Sequence, residues 1–294
     1  MDWDQLGHAR DWILFEKNLG GYLSLDEVCL SQGELYTVLT NKEAKGRKGA
    51  LLAMVKGTVS EKVISVLEQI PYRLRRKVKE VTLDLAPTME RIARRAFPKA
   101  RLVSDRFHVQ QLAGDAVQQL RIQYRWEAID QENREIELAR ETENTYVPQI
   151  LENGDTMKQL LARSRHLLFK QDTNWTPTQR QRAEILFHHY PLLEKAYQLS
   201  RKLSYIFSNT KEKGVGFTRL AKWYDEVERS GLKAFSTVSR TIQNHYLTIL
   251  NYFDNRNTNA SAESFNAKIK SLRAQFRGVR NVEFFMFRLM KIYA

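Results

Sequence analysis

Short apolar runs separated by turn residues dominate the first part of this chain. Three of them, Gly21 to Leu30, Glu34 to Asn41 and Gly49 to Lys56, follow one another closely and predict a β-meander. Apolar positions at helical spacing follow, from Thr58 to Ile70, and then a fourth strand from Glu80 to Leu85. Because a helix precedes it, this strand is expected to lie parallel to a neighbour.

A further helix and strand extend the pattern. The helix is predicted over Thr88 to Phe97 and the fifth strand over Ala100 to Ser104. From Val109 to about Tyr252 the periodicity becomes helical, with its own apolar positions, and predicts a packed insertion. The order is therefore βββαβαβ, followed by a large all-α insertion.

The last segment is also predicted to be helical. Asn255 to Asn259 supply turn and N-cap residues, a helix is predicted from there through Arg277, and another follows Gly278. These boundaries divide the chain into four parts: an N-terminal leader at 1–19, a first core part at 20–109, a helical insertion at 110–254 and a second core part at 255–294.

Acidic residues end three of the apolar runs. Asp26, Asp84 and Asp105 occupy these positions, and Glu263 opens the late helix. An unpaired carboxylate beside apolar strands is costly, so its repetition predicts a divalent-metal site. The order of elements is that of an RNase H-like core, in which the first and fourth strands place Asp26 beside Asp84 and the late helix brings Glu263 across from them.

Composition favours a polyanionic partner. Lys and Arg number 47 against 34 Asp and Glu, which gives a formal charge of +13. Such a charge suits nucleic acid, because each neutralised phosphate releases counterions. The single Cys29 excludes an internal disulfide framework and a cysteine-based zinc cluster. Neither a signal peptide nor a long apolar span is recognisable, so an intracellular protein with no membrane contact is expected.

Four sequence blocks surround the acidic residues: Leu25-Asp26-Glu27, Leu83-Asp84-Leu85, Asp105-Arg106-Phe107-His108-Val109 and the partly basic stretch Asn259 to Lys270. Together they resemble the ISL-three insertion-sequence transposases, in particular their ISAon-type branch. The stretch Arg277-Gly278-Val279-Arg280-Asn281 with Phe284 extends the match. The resemblance runs from about Gly20 to the C-terminus.

The resemblance implies a DDE transposase. Its catalytic triad would be Asp26, Asp84 and Glu263, which hold two Mg²⁺ ions, with Mn²⁺ as a substitute, while Asp105 and His108 form an Asp-x-x-His motif. The implied reaction is strand cleavage at the element ends of double-stranded DNA, followed by attack of the 3′-hydroxyl on target DNA. A homodimer assembled on DNA, in the cytoplasm and nucleoid of a bacterium, is expected.

Members of this family usually carry a zinc-binding segment and a helix-turn-helix ahead of the core. Only Met1 to Leu25 precede Asp26 here. The resemblance therefore implies that a separately encoded DNA-binding protein recognises the element ends, or that this module has been lost.

Several assignments stay open at this point. Glu27 could replace Asp26, but alternation along a strand directs only one of them to the site, and we favour Asp26. Asp105 could take the place of Asp84, and we rank it as auxiliary. His108 could contact a metal-bound water or the scissile phosphate, or could bind Asp105 across one helical turn.

Basic and aromatic residues could have either a structural role or a role in DNA binding. Five cations follow Glu263 and are predicted to flank DNA: Lys268, Lys270, Arg273, Arg277 and Arg280. Two further clusters could either extend this surface or be solvated: Arg73, Arg75, Arg76 and Lys77, then Arg91, Arg94 and Arg95. Three tryptophans are expected in the core of the insertion: Trp126, Trp175 and Trp223.

Two other functions fit the same sequence. One is a structure-selective nuclease on the RNase H-like core, which would cut DNA without joining strands. The other is a DNA-binding remnant that regulates transposition and performs no chemistry.

Overall fold

A central sheet and a separate group of helices form two compact units. The computed structural model describes three stretches of the chain: residues 3–30, 33–276 and 281–294. The first unit joins Met1–His108 to His245–Ala294, and the second is Val109–Asn244. The second unit thus ends ahead of residue 254, where the predicted insertion ended.

The first unit contains one mixed sheet of six strands. In chain order they are β1 Trp12–Leu14, β2 Tyr22–Cys29, β3 Leu35–Asn41, β4 Leu51–Lys56, β5 Glu80–Leu83 and β6 Arg101–Ser104. Their order across the sheet is β1-β4-β3-β2-β5-β6. The pairs β1–β4, β4–β3 and β3–β2 are antiparallel, whereas β2–β5 and β5–β6 are parallel. The predicted mixed α/β class is therefore confirmed.

Strand β1 was not predicted from the sequence, because residues 1–19 were assigned to an N-terminal leader. Trp12, Ile13 and Leu14 pair with β4, and Phe15 N donates to Leu52 O at 2.8 Å. A strand of three residues shows too little alternation to be recognised, since its pairing partner is far away in sequence. The sheet consequently has one more strand than predicted.

Thirteen α-helices lie within the described residues. In chain order they are α1 Ser60–Leu67, α2 Tyr72–Arg75, α3 Pro87–Ala96, α4 Arg106–Glu141, α5 Met157–Arg163, α6 Pro177–His189, α7 Pro191–Asn209, α8 Lys213–Ser230, α9 Lys233–Asn244, α10 Tyr246–Leu250, α11 Tyr252–Asn255, α12 Ala260–Gln275 and α13 Val282–Tyr293. No helix in the described part of the chain is both long and apolar enough to traverse a bilayer.

Each face of the sheet is covered by helices of the first unit. Leu25 and Leu83 pack with Ile92 of α3 on one face. Val28 and Val38 pack with Phe265 of α12 on the other. Since successive side chains of a strand point to opposite faces, Asp26 shares the α12 face with Val28. The sheet therefore lies between two helical layers, and α12 lies on the side of the acidic residues.

Helices α10 and α11 belong to the first unit as well. Ser104 Oγ of β6 lies 2.7 Å from Thr248 Oγ1 of α10, and Asn251 Nδ2 donates to Leu102 O at 2.8 Å. Through these contacts α10 packs beside β6, the edge strand of the sheet, before the chain continues into α12.

The second unit has its own apolar core. Trp223 is fully buried, and its Nε1 donates to Leu199 O at 2.9 Å. Trp175 is partly buried and donates to Leu167 O. Trp126, however, is 61% exposed on α4, so the prediction of a core position is wrong for this residue. Helical spacing of apolar residues does not reveal which of them meets a neighbouring helix.

Candidate active site

Three aspartates occupy adjacent positions where the parallel strands end. Ser24 pairs with Thr82, so two residues further along Asp26 comes beside Asp84. Leu83 pairs with Ser104, and Asp105 N donates to Leu83 O at 2.8 Å, which brings Asp105 beside Asp84. The structure thus brings together the three strand-end acids named from the sequence.

Two of these aspartates also shape the backbone. Asp84 Oδ1 accepts from Ala86 N at 2.8 Å, and Asp105 Oδ1 accepts from Phe107 N at 3.3 Å. Such turns end a strand and prepare the helix that follows, here α3 and α4. Each carboxylate keeps a second oxygen, so the structural role and a ligand role are compatible.

Asp26 is a partly buried carboxylate close to the other two. Burial raises its pKa to about 6, with the charges of Asp84 and Asp105 adding to the rise. Its oxygens accept from Glu27 N at 2.8 Å and from Asn266 Nδ2 at 2.7 Å. A half-buried carboxylate crowded by two others is the electrostatic setting that a bound cation relieves.

Asp105 and His108 form a close pair at the start of α4. Asp105 is fully buried, and its Oδ2 lies 3.4 Å from His108 Nδ1 without a well-formed hydrogen bond. The interaction with Asp105 is the largest cause that raises the pKa of His108, against the opposing effect of burial. The pair supplies a buried, incompletely satisfied carboxylate oxygen next to Asp84.

Glu27 has a weaker link to this group. Burial raises its pKa, with a smaller contribution from the charge of Asp84. The side chain of Asp26, in contrast, interacts with Asp84, Asp105 and His108 together.

Glu263 lies in the first turn of α12, and its side chain is exposed. Asn266, three residues further along the same helix, reaches Asp26, so Glu263 is a helical neighbour of a residue in direct contact with the site. No three acidic, histidine or cysteine side chains within the described residues are close enough to hold a metal ion. The role of Glu263 as a metal ligand therefore stays a prediction.

The donor set nevertheless fits a hard divalent cation. Mg²⁺ prefers carboxylate oxygens and retains several waters, so it needs few protein ligands. Asp105 Oδ2 is a buried oxygen without a hydrogen-bond partner, and the pKa of Asp26 is raised by burial and like charge.

The basic residues after Glu263 do not share one environment. Lys268 and Lys270 are exposed, and Lys268 Nζ donates to Gly46 O at 2.9 Å. Arg273 is only 5% exposed and binds Glu34, so its predicted DNA-facing position is wrong. The periodicity placed it on a polar face without revealing a carboxylate near β3. Arg277 and Arg280 lie outside the described residues.

The other predicted basic clusters are also partly occupied. Arg75 is buried and donates to Ile70 O and Ala96 O, so it is part of the core and not of a surface. Three arginines on α3 pair with glutamates of the same unit: Arg91 with Glu61, Arg94 with Glu90 and Arg95 with Glu68. These exposed pairs leave the arginine side chains accessible.

Asn266 is the contact that the sequence analysis did not identify as functional. It is 7% exposed and also approaches Glu27 O at 3.4 Å. Its place three residues after Glu263, on the same side of the helix, was the available signal.

Comparisons with known proteins agree on one kind of relative. A family model described as a transposase, of the ISL3 (ISL-three) DDE type, matches residues 23–289. The chain is 24% identical over 283 residues to the transposase for insertion sequence element IS1001 of Bordetella parapertussis. That alignment covers 95% of this chain but 61% of the relative, so the chain spans less than two thirds of the relative's length. No solved structure matches the chain.

Proposed function

Because the chain belongs to the ISL-three family of DDE transposases, we propose that it cleaves DNA at the ends of an insertion sequence and transfers the freed 3′-hydroxyl to target DNA. The observation that carries this proposal is the row of Asp26, Asp84 and Asp105 at adjacent strand ends, with α12 joined to it through Asn266.

An RNase H-like core is part of this proposal. Without the edge strand β1, the sheet order is a three-stranded antiparallel meander followed by two parallel strands. The first and fourth strands of that order are neighbours and carry Asp26 and Asp84, as the resemblance implies.

Asp26, Asp84 and Glu263 would hold the divalent cations. When bound, two Mg²⁺ ions activate the attacking water or 3′-hydroxyl and stabilise the charge that develops on the phosphate, and Mn²⁺ could replace them. The chain itself contributes the carboxylates, and the contact of Asn266 with Asp26 orients one of them. Glu263 would complete the set from the first turn of α12.

Asp105 and His108 would act beside this set. The buried Asp105 carboxylate lies 3.4 Å from His108 Nδ1. Because this interaction raises the pKa of His108, it favours the protonated imidazole ring. His108 is therefore suited to donate a hydrogen bond to the scissile phosphate or to a bound water.

Double-stranded DNA is the proposed partner. Lys268 and Lys270 are exposed on the helix that carries Glu263, and the formal charge of +13 favours a polyanion. A homodimer on DNA and a separately encoded end-binding protein stay predictions of the resemblance.

An assay with paired element-end oligonucleotides, Mg²⁺ and supercoiled target DNA separates the candidate functions. Joined products support the transposase, cutting without joining supports a nuclease, and binding alone supports a regulatory remnant. Asp84→Asn should abolish both cutting and joining, because one ligand is lost. Asp115→Asn is the matched control, since Asp115 is an exposed aspartate of α4 that belongs to the second unit.

Unchanged activity of Asp84→Asn would refute the assignment of this residue. Asp105→Asn should then be compared directly, because Asp105 is the neighbouring carboxylate that could take its place.

A further inference from the structure

An open cleft of about 560 Å³ lies in the first unit, near the start of α12. One wall is the connection between β3 and β4, and the other is the segment that leads into α12. The cleft is lined by cationic and hydroxyl side chains, among them Lys42, Arg256, Thr258 and Ser261. None of these residues was assigned a role from the sequence.

Lys42 joins the cleft to the aspartates. Its Nζ donates to Thr82 Oγ1 at 2.8 Å, and Thr82 precedes Asp84 by two positions on the same strand. Two residues along a strand correspond to about 7 Å. The Lys42 ammonium therefore contacts β5 about 7 Å along the strand before Asp84. An ammonium has three N–H donors, and within the described residues only this one is used.

The opposite wall is held by a buried carboxylate. Glu80 is 1% exposed and accepts from Asn255 Nδ2 at 3.2 Å and from Asn257 Nδ2 at 2.5 Å. Arg256 lies between these two anchors in a left-handed conformation, with φ of 55°, and lines the cleft. The loop is therefore fixed by its asparagines, and the guanidinium of Arg256 lies 5.9 Å from the centre of the Tyr252 ring.

The start of α12 adds further donors. Ser261 lies in its first turn, and its Oγ has no hydrogen-bond partner within the described residues. Peptide N–H groups at a helix N-terminus attract anions. Glu43, the acidic residue of the lining, is turned to the backbone, because its Oε2 accepts from Gly21 N at 2.8 Å.

We propose that this cleft binds a backbone phosphate of the DNA strand that enters the candidate active site, with Lys42 as the principal cation. The inference rests on the proposed function for the identity of the strand. Its own basis is the union of an ammonium with free donors, a fixed arginine, an unpartnered hydroxyl and a helix N-terminus in one open cleft. Openness suits a continuous chain of phosphates that passes through it.

The test measures how the affinity for a short fluorescent DNA duplex depends on salt, in EDTA so that no divalent ion contributes. Lys42→Gln keeps a hydrogen-bonding group for Thr82 but removes the charge. We expect the slope of log affinity against log salt to shrink by about 0.9, the value for one lost phosphate contact. Each fourfold rise in salt then changes the affinity of the variant relative to the parent by about 3.5-fold.

Two variants make the result specific. Lys48→Gln removes the same charge from the same connection, but Lys48 is exposed and does not line the cleft. Lys42→Arg keeps the charge and should retain the parent slope. An unchanged slope for Lys42→Gln, or an equal change for Lys48→Gln, would overturn the proposal. If Lys42→Gln fails to fold by circular dichroism, Arg256→Gln takes its place with the same expectation.

This measurement is independent of strand transfer. If the parent protein forms no joined products in the element-end assay, the proposed function fails while the salt slope still reports on the cleft. If Asp84→Asn abolishes joining but Lys42→Gln keeps the parent slope, the function stands and the phosphate subsite is wrong.

Discussion

The ion pair between Glu34 and Arg273 ties α12 to the start of β3, and its loss should be costly. Arg273 Nε and Nη2 each donate to a Glu34 oxygen at 3.1 Å. The side chains are 5% and 18% exposed, and the guanidinium lies 5.2 Å from the centre of the Phe285 ring. Glu34→Ala removes the carboxylate and leaves a buried guanidinium without this partner.

The burial of the pair sets the size of the effect. Removing one partner of a fully buried pair costs about 3–5 kcal/mol. Because Glu34 is 18% exposed, water can enter part of the vacated space, and we expect about 2–4 kcal/mol. At roughly 2–4 °C per kcal/mol for a protein of this size, a loss near 3 kcal/mol lowers the melting temperature by about 6–12 °C.

A surface pair provides the matched control. Glu283 binds Arg10 at 2.8 Å, but Arg10 is 73% exposed, so Glu283→Ala should cost only about 0–1 kcal/mol. Calorimetry measures the melting temperature of both variants. Equal losses for Glu34→Ala and Glu283→Ala would refute the reasoning from burial. The double variant Glu34→Leu with Arg273→Met should lose less than Glu34→Ala, because it leaves no buried charge.

Three further predictions concern other parts of the molecule. Burial raises the pKa of Tyr36 from 10 to about 12. The protonated phenol therefore stabilises the fold fully below pH 10, and this stabilisation is lost as the pH rises toward 12. Tyr36→Phe should reduce the loss of stability over this pH range, measured as the free energy of unfolding against pH. Trp223→Ala should cost about 3–5 kcal/mol in urea unfolding and Trp126→Ala less than about 0.5, because only Trp223 is buried. Glu80→Ala should increase protease cleavage near Asn257 while Glu43→Ala does not, since Glu80 anchors that loop; equal cleavage would contradict the anchoring role.

Local pattern was sufficient for much of the fold. The apolar runs predicted the five strands β2 to β6, with ends that differ from the observed ones by at most two residues. The family resemblance is confirmed over residues 23–289. The candidate acids could be named because strand-end carboxylates and a late glutamate are visible in sequence, although their roles stay predictions.

Other features depended on residues that are distant along the chain. Strand β1 exists because it pairs with β4, and Trp126 is exposed because no neighbouring helix covers it. Arg273 is buried because it meets Glu34. A periodic pattern states which face a residue lies on, but not what packs against that face.

The site divides in the same way. The sequence by itself determined which residue types could hold a metal, because strand ends and helix starts follow from local propensity. Only the tertiary structure decided that Asp26, Asp84 and Asp105 are neighbours and that Asn266 contacts Asp26. The register between strands and the position of α12 on the sheet arise from packing of the whole unit. No local segment of the sequence encodes this packing.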